Sequence, residues 1–257
     1  MARAVQTVSP SIAGQMSSHL WSLPQKSGKF AWSKNIKRYD VRTKVGKIKV
    51  YKCGQGEPVW LVHDWSGSAS DYWHLMQRFH EYDIPTVTFD FPGHGANSSQ
   101  KVTVQHLIKA FDDISKVMLQ PSHVICHGAA AYVVANSRWF KTYQRKLSLL
   151  APRVTLNSVV ADIAKQYRLN FETQTNSVKR LYSQDLLKAT RLNAAEKLEK
   201  FGGDIAVCIS ENDRIGKNEK AFLCSDQLNA LVVSFNQSSE RLLKSRSVFN
   251  TLLSHCA

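Results

Sequence analysis

Six short apolar runs, none longer than a strand, alternate with segments of helical spacing, and this alternation restricts the fold more than any other feature. The runs are VWLVHD (59–64), TVTFDF (86–91), SHVICHG (122–128), KLSLLAP (146–152), DIAVCIS (204–210) and ALVVSF (230–235). Their apolar residues are consecutive rather than alternate, as a strand covered on both faces requires. Between them, DYWHLMQRFHEY (71–82) has helical spacing, and 102–119 carries an apolar stripe of Val104, Leu107, Ile108, Phe111, Ile114 and Val117. Further helices are predicted at about 129–141, in a long stretch over 154–200, near 218–227, and as one closing helix from 239 to about 253. Upstream, YDVRTKVGKIKVY (39–51) alternates around Gly46 and predicts a hairpin. The sum is an α/β chain: a mostly parallel central sheet of about eight strands, flanked by helices that make the crossovers.

A chain of 257 residues with 43% hydrophobic content is large enough for one buried core. Residues 1–37 show no sustained period and are expected to form an irregular arm. Residues 38–257 are expected to form the domain. No apolar run approaches the roughly 18 residues of a membrane span, and no secretory segment opens the chain, so a soluble, cytoplasmic protein is expected. Five cysteines at scattered positions, with no C-x-x-C pair, fit reduced thiols and no metal or other cofactor. The balance of 34 basic against 20 acidic residues gives +14. Between Arg138 and Lys200, 13 basic residues face 5 acidic ones, a local excess of 8. Such charge favours an anionic ligand or an acidic protein surface. Without an RNP run, a zinc finger or a G-x-x-G clamp, nucleic acid is the least supported partner.

Three stretches fall in a telling order on this pattern. LVHDWSGSASDYW follows one strand, DFPGHGAN follows the next, and CHGAAA makes a strand-to-helix turn. Together, over roughly residues 38–255, they resemble the α/β-hydrolase fold family, in particular its esterase, lipase and C–C hydrolase branch. In that family a G-x-S-x-G elbow raises a nucleophile above the sheet on a strained turn. Here the five places are Cys126, His127, Gly128, Ala129 and Ala130, so the nucleophile position holds glycine, which adopts the positive φ of such a turn without strain. The resemblance implies an oxyanion hole formed by the backbone N–H groups of Ala129 and Trp65. It also implies a catalytic acid at Asp213 and a base in the loop after the last strand, where Ser239 and Glu240 stand in place of histidine. The glycine expected before Trp65 is Asp64, whose carboxylate would oppose a developing oxyanion unless it turns to solvent or caps the next helix.

Loss of the nucleophile, loss of the base and alteration of the oxyanion loop read as three independent departures from one mechanism. His255, on the order of 20 Å along the closing helix, cannot supply the base. His63, His94 and His127 read as loop-fixing residues, and Cys126 as an inert thiol ending a buried strand. The resemblance implies a helical cap inserted at about 153–200, and the expected function is therefore a non-catalytic pseudo-hydrolase that binds a small ligand under that cap, an anion being favoured by its basic charge, or a protein partner, near Trp65, Ala129, Asp64, Ser66 and His127. The alternative is a hydrolase or lyase with a non-standard site, using Asp213 with Glu240, Asp64, or a nearby serine (Ser66, Ser68) or Cys126.

Overall fold

A computed structural model describes residues 9, 12–13, 30–65, 67–97, 102–166, 170, 172–173, 176, 193–213 and 217–256. The chain forms β1 (Ile36–Thr43), β2 (Gly46–Cys53), β3 (Val59–Val62), α1 (Trp73–Glu81), β4 (Thr86–Phe89), α2 (Val104–Val117), β5 (His123–His127) and α3 (Ala130–Ala135). It continues with β6 (Lys146–Leu150), α4 (Leu156–Gln166), α5 (Ala194–Glu199), β7 (Asp204–Ser210), α6 (Lys217–Leu223), β8 (Ala230–Phe235), α7 (Ser239–Leu242) and α8 (Arg246–Cys256). The eight strands make one sheet in the order β1-β2-β4-β3-β5-β6-β7-β8. The hairpin pairs antiparallel and joins β4 antiparallel; every other pairing is parallel.

Every residue of β3, β4 and β5 is buried, which is why these strands read as continuous apolar runs. Successive residues point to opposite faces. Trp60, Val62, Phe89, Val124 and Cys126 meet α2, α3 and α5 on one side. Val59, Leu61 and Ile125 meet α1 and α8 on the other. Trp60 anchors the first layer, stacked on Trp139 at 5.7 Å and edge-on to Phe111 at 5.8 Å.

The predicted elements differ from the observed ones mainly at helix ends. Val117, placed on the apolar stripe of α2, is 63% exposed, and Met118 beyond the helix end turns inward instead. The helix predicted over 129–141 stops at Ala135. There the Asn136 side chain donates to Tyr132 O (2.9 Å) and the Ser137 hydroxyl to Val134 O (2.7 Å), and such side-chain competition ends helices. The single closing helix is two, α7 and α8, divided near Ser245, whose hydroxyl accepts from Val248 N–H. His255 sits at the opposite end of β5 from Gly128, with its Nδ1 3.0 Å from the Ser148 hydroxyl and its ring against His123.

The sheet begins at Ile36, two residues inside the arm drawn at 1–37. Most of that arm, and most of the 153–200 segment beyond α4, lies outside the described residues. Among the described residues no helix is long and apolar enough to cross a membrane.

The packing ranks two side chains that the sequence pattern treats alike. Trp60→Ala should lower stability by about 3–5 kcal/mol, whereas Val117→Ser should stay within about 0.5 kcal/mol. Urea denaturation measures both, and the reverse ranking would contradict this packing.

Candidate functional site

In the sheet, the chain runs outward from β3 to β4 and then returns to place β5 on the other side of β3. Ligands of open α/β sheets bind in the crevice beyond the carboxyl ends of strands where the order reverses in this way. Val62 pairs with Cys126 at those ends, so the loops beginning at His63 and at Gly128 face one another. Gly128 has φ +54°, and a Cβ built on it would overlap the Cγ and both carboxyl oxygens of Asp64. The Asp64 side chain thus fills the volume where an elbow side chain would begin.

One oxygen of that carboxylate, Oδ1, accepts the backbone N–H of Trp65 at 2.7 Å and of Ala129 at 2.7 Å. These are the two amides that the family resemblance assigns to the oxyanion hole, at the distance such donors keep from an oxyanion. The expectation that Asp64 turns to solvent or caps its own following helix is therefore corrected. It reaches across to Ala129, the residue that caps the elbow helix α3, and the N–H groups of Ala129 and of Trp65 beside it form charge-assisted bonds to one carboxylate oxygen. Ser66 lies outside the described residues. Ser68 lies in the same loop; its N–H donates to Asp71 Oδ2 (2.8 Å), and its hydroxyl is 2.7 Å from that of Ser70.

The histidines hold loops. His63 donates from Nδ1 to Asp64 O (2.7 Å) and accepts Phe91 N–H on Nε2 (3.0 Å), which fixes a neutral tautomer. Burial, with His94 nearby, lowers its pKa to about 3. His94 donates to Pro92 O (2.9 Å), and burial lowers its pKa as well. His127 Nε2 lies 3.1 Å from Ser239 O, so the proton is on Nε2, and the bond ties the elbow to the loop after β8.

The acid position is occupied but engaged. The Asp213 side chain is 6% exposed and accepts Nη2–H of Arg153 at 2.7 Å. Arg153, absent from the residues singled out in sequence, is itself buried. It also pairs with Asp162 through Nε, donates to Ala151 O and Pro152 O, and its backbone N–H bonds Gly128 O at 3.0 Å. Burial opposes its charge, but the Asp162 and Asp213 carboxylates outweigh that and hold its pKa above the ordinary value. Its sequence signal was a lone arginine directly after a buried strand, in LLAPRV. Glu240, in the first turn of α7, is exposed and lines a cavity of about 260 Å³ with Asp64, Gly67, Asp71, His127, Leu243 and Lys244. Asp213 is not among the described residues of that lining, so the carboxylate pair considered for Asp213 and Glu240 is not assembled there. The cavity instead joins Glu240 to Asp64 and to Asp71, which sequence reasoning missed although S-x-x-D at 68–71 is a cap signature. Desolvation raises the Asp71 pKa. Cys126 is fully buried within β5, and burial pushes its thiol pKa well up, which leaves no thiolate to act as nucleophile. Among the described residues no group of side chains could hold a metal ion.

No protein-family model and no curated protein matches the chain. Solved structures do resemble it. An esterase from Pyrococcus furiosus superposes with a TM-score of 0.65 at 14% identity, over 91% of this chain and 96% of that one. The haloalkane dehalogenase DatA from Agrobacterium tumefaciens gives 0.63 at 13%, over 88% and 98%. An esterase from Exiguobacterium antarcticum gives 0.60 at 15%, over 86% and 99%. At such identities the likeness shows the fold alone.

The overlap between positions 64 and 128 is testable as a coupling. Gly128→Ser should cost about 2–5 kcal/mol, the sum of left-handed backbone strain and lost Asp64 bonds. In an Asp64→Gly background the same change should cost only the strain, about 1–2 kcal/mol. A double-mutant cycle in urea reads the difference. Equal costs in both backgrounds would mean that Asp64 does not occupy the elbow volume.

Proposed function

For this chain of α/β-hydrolase fold we propose a non-catalytic role: it binds a small ligand in the cavity beside the elbow and does not carry out acyl transfer. The observation that carries the reading is the Asp64 carboxylate lying between the Trp65 and Ala129 amides. A substrate oxyanion could use those amides only after Asp64 gave up two charge-assisted bonds. The displaced carboxylate would then stay close by, and two like charges about 4 Å apart near a protein surface repel by about 4 kcal/mol. A hole donor ordinarily contributes about 3–4 kcal/mol to catalysis, so the resident anion cancels what the site would supply. Gly128 offers no nucleophile, and Glu240 stands where a base would have to accept its proton.

The cavity wall also bears on the ligand. Among the described lining residues, the carboxyl groups of Asp64, Asp71 and Glu240 outnumber the lysine, Lys244, which favours a neutral or cationic molecule. The anionic ligand expected from sequence rested on a basic cap whose Arg168, Lys179 and Arg180 lie outside the described residues. At roughly 30 Å³ per water-sized group, about 260 Å³ admits only a small molecule.

One observation favours a second reading. Asp71, held toward its neutral form by desolvation, shares the cavity with Asp64 and Glu240, and such a set can perform general acid–base chemistry on water.

Hydrolysis of p-nitrophenyl acetate and butyrate separates the two readings, with Asp71→Asn and Glu240→Gln assayed beside the unmodified chain. The non-catalytic role predicts background rates in all three, together with no labelling by a fluorophosphonate. Turnover that either substitution abolishes would overturn it in favour of carboxylate catalysis.

A further inference from the structure

A second cavity, of about 680 Å³, opens on the hairpin side of the 64–72 loop, and its chemistry is opposite to that of the elbow cavity. Ser68 and Ser70 belong to its wall, whereas Asp64, Gly67 and Asp71 of the same loop face the elbow. Its outer wall is the face of the hairpin that carries Arg38 and Lys49, and its apolar wall is Phe30 and Trp32.

Strand register explains the charge on that face. Arg38 lies opposite Tyr51, Asp40 opposite Lys49, and Arg42 opposite Lys47. Alternation in β1 and β2 puts all six on one side of the ribbon. Four cations therefore share that side with one acid, and Arg42 directly faces Lys47, an arrangement that destabilises a sheet unless an anion relieves it. Asp40 is already engaged by Lys49 at 2.7 Å and Lys47 at 3.9 Å. Among the described residues no carboxylate pairs with Arg38. The acid in the cavity wall is Asp90, which is buried and satisfied: it accepts the N–H groups of Ala69 (2.8 Å) and Ala96 (3.0 Å) and the Tyr51 hydroxyl (3.1 Å).

The remaining wall supplies a donor and a ring. Ser68 and Ser70 bond to each other, which uses one hydroxyl hydrogen and leaves the other free to donate. Trp32 stacks on Tyr51 at 4.1 Å, and Phe30 meets Trp32 edge-on at 5.0 Å while remaining 41% exposed. A single exposed aromatic is ordinary. Here the aromatic step stands beside a guanidinium that no carboxylate of the described residues pairs, a group that binds carboxylate or phosphate in a two-pronged geometry.

We propose that this groove binds an aromatic organic anion, with its carboxylate or phosphate on Arg38 and the serine hydroxyls and its ring against Phe30 and Trp32. The site is separate from the elbow cavity and does not depend on the role assigned there. A ligand of either headgroup is recognised by the same fork of donors, and the ring accounts for the aromatic wall.

Calorimetric titration of the full chain with phenyl phosphate, benzoate and inorganic phosphate, at physiological ionic strength, tests the site. At least one of the two aromatic anions should bind saturably, at one per chain, and about tenfold more tightly than inorganic phosphate. The tighter of the two identifies the headgroup. Arg38→Gln should weaken binding about tenfold or more, the loss of a charge-assisted contact. Arg42→Gln, on the same face but about 13 Å along the strand and beyond the screening length, should leave affinity within about threefold. Thermal denaturation checks that both variants fold, and both positions are exposed. No saturable binding of either aromatic anion, equal losses in the two variants, or inorganic phosphate binding as tightly as the aromatic anions would each overturn the proposal.

Discussion

Asp64 Oδ1 accepts two backbone N–H groups that belong to different loops, one from the residue after it and one from Ala129, the residue that caps α3, 65 residues away in sequence. That pair of bonds fixes how the loop after β3 meets the loop after β5, and much of the site's composition follows. Position 128 must be glycine, because any Cβ would enter the carboxylate, and its φ of +54° is one that glycine adopts freely. Loss of the nucleophile and alteration of the oxyanion loop are therefore one event in space. Three departures from the family pattern that look independent along the chain reduce to two.

At Asp213, too, a buried charge is paired. Asp213 would be an uncompensated buried carboxylate if its partner had simply vanished with the base. Arg153 takes that place, shared with Asp162 from α4 and supported by the carbonyls of Ala151 and Pro152. Removing one member of such a buried cluster typically costs about 3–5 kcal/mol, so the pairing by itself stabilises an aspartate at this place. Glu219 acts similarly at the start of α4, accepting the N–H groups of Val154 and Thr155. The helices next to the site are thus held by carboxylates directed at backbone or at arginine.

The sheet was legible because its signal is local. VWLV, TVTF and HVICH are apolar at consecutive positions, and only a strand covered on both faces calls for that in so short a run. The glycine at the elbow was legible for the same reason, since strand, turn and helix are contiguous in CHGAAA. Helix ends were less so: the break near Ser245 and the stop after Ala135 depend on side-chain bonds to backbone that compete with helical ones, which periodicity does not register. The bond from Asp64 to Ala129 and the pair Arg153–Asp213 were not legible at all. Each joins residues 60 or more apart, and each becomes visible only once β3, β5, β6 and β7 lie side by side.

A fold that esterases and a dehalogenase share here carries a carboxylate on the two amides that the family resemblance assigns to an oxyanion hole, between one cavity lined by acids and another lined by aromatic and basic residues. The account stands or falls on that occupancy. Scalar coupling across hydrogen bonds, measured by NMR on chain labelled with nitrogen-15 and carbon-13, observes it directly. The account predicts coupling from the amide nitrogens of both Trp65 and Ala129 to the side-chain carboxyl carbon of Asp64. Absence of both couplings, with the two amides exchanging freely with solvent, would mean the hole is open and would contradict the account.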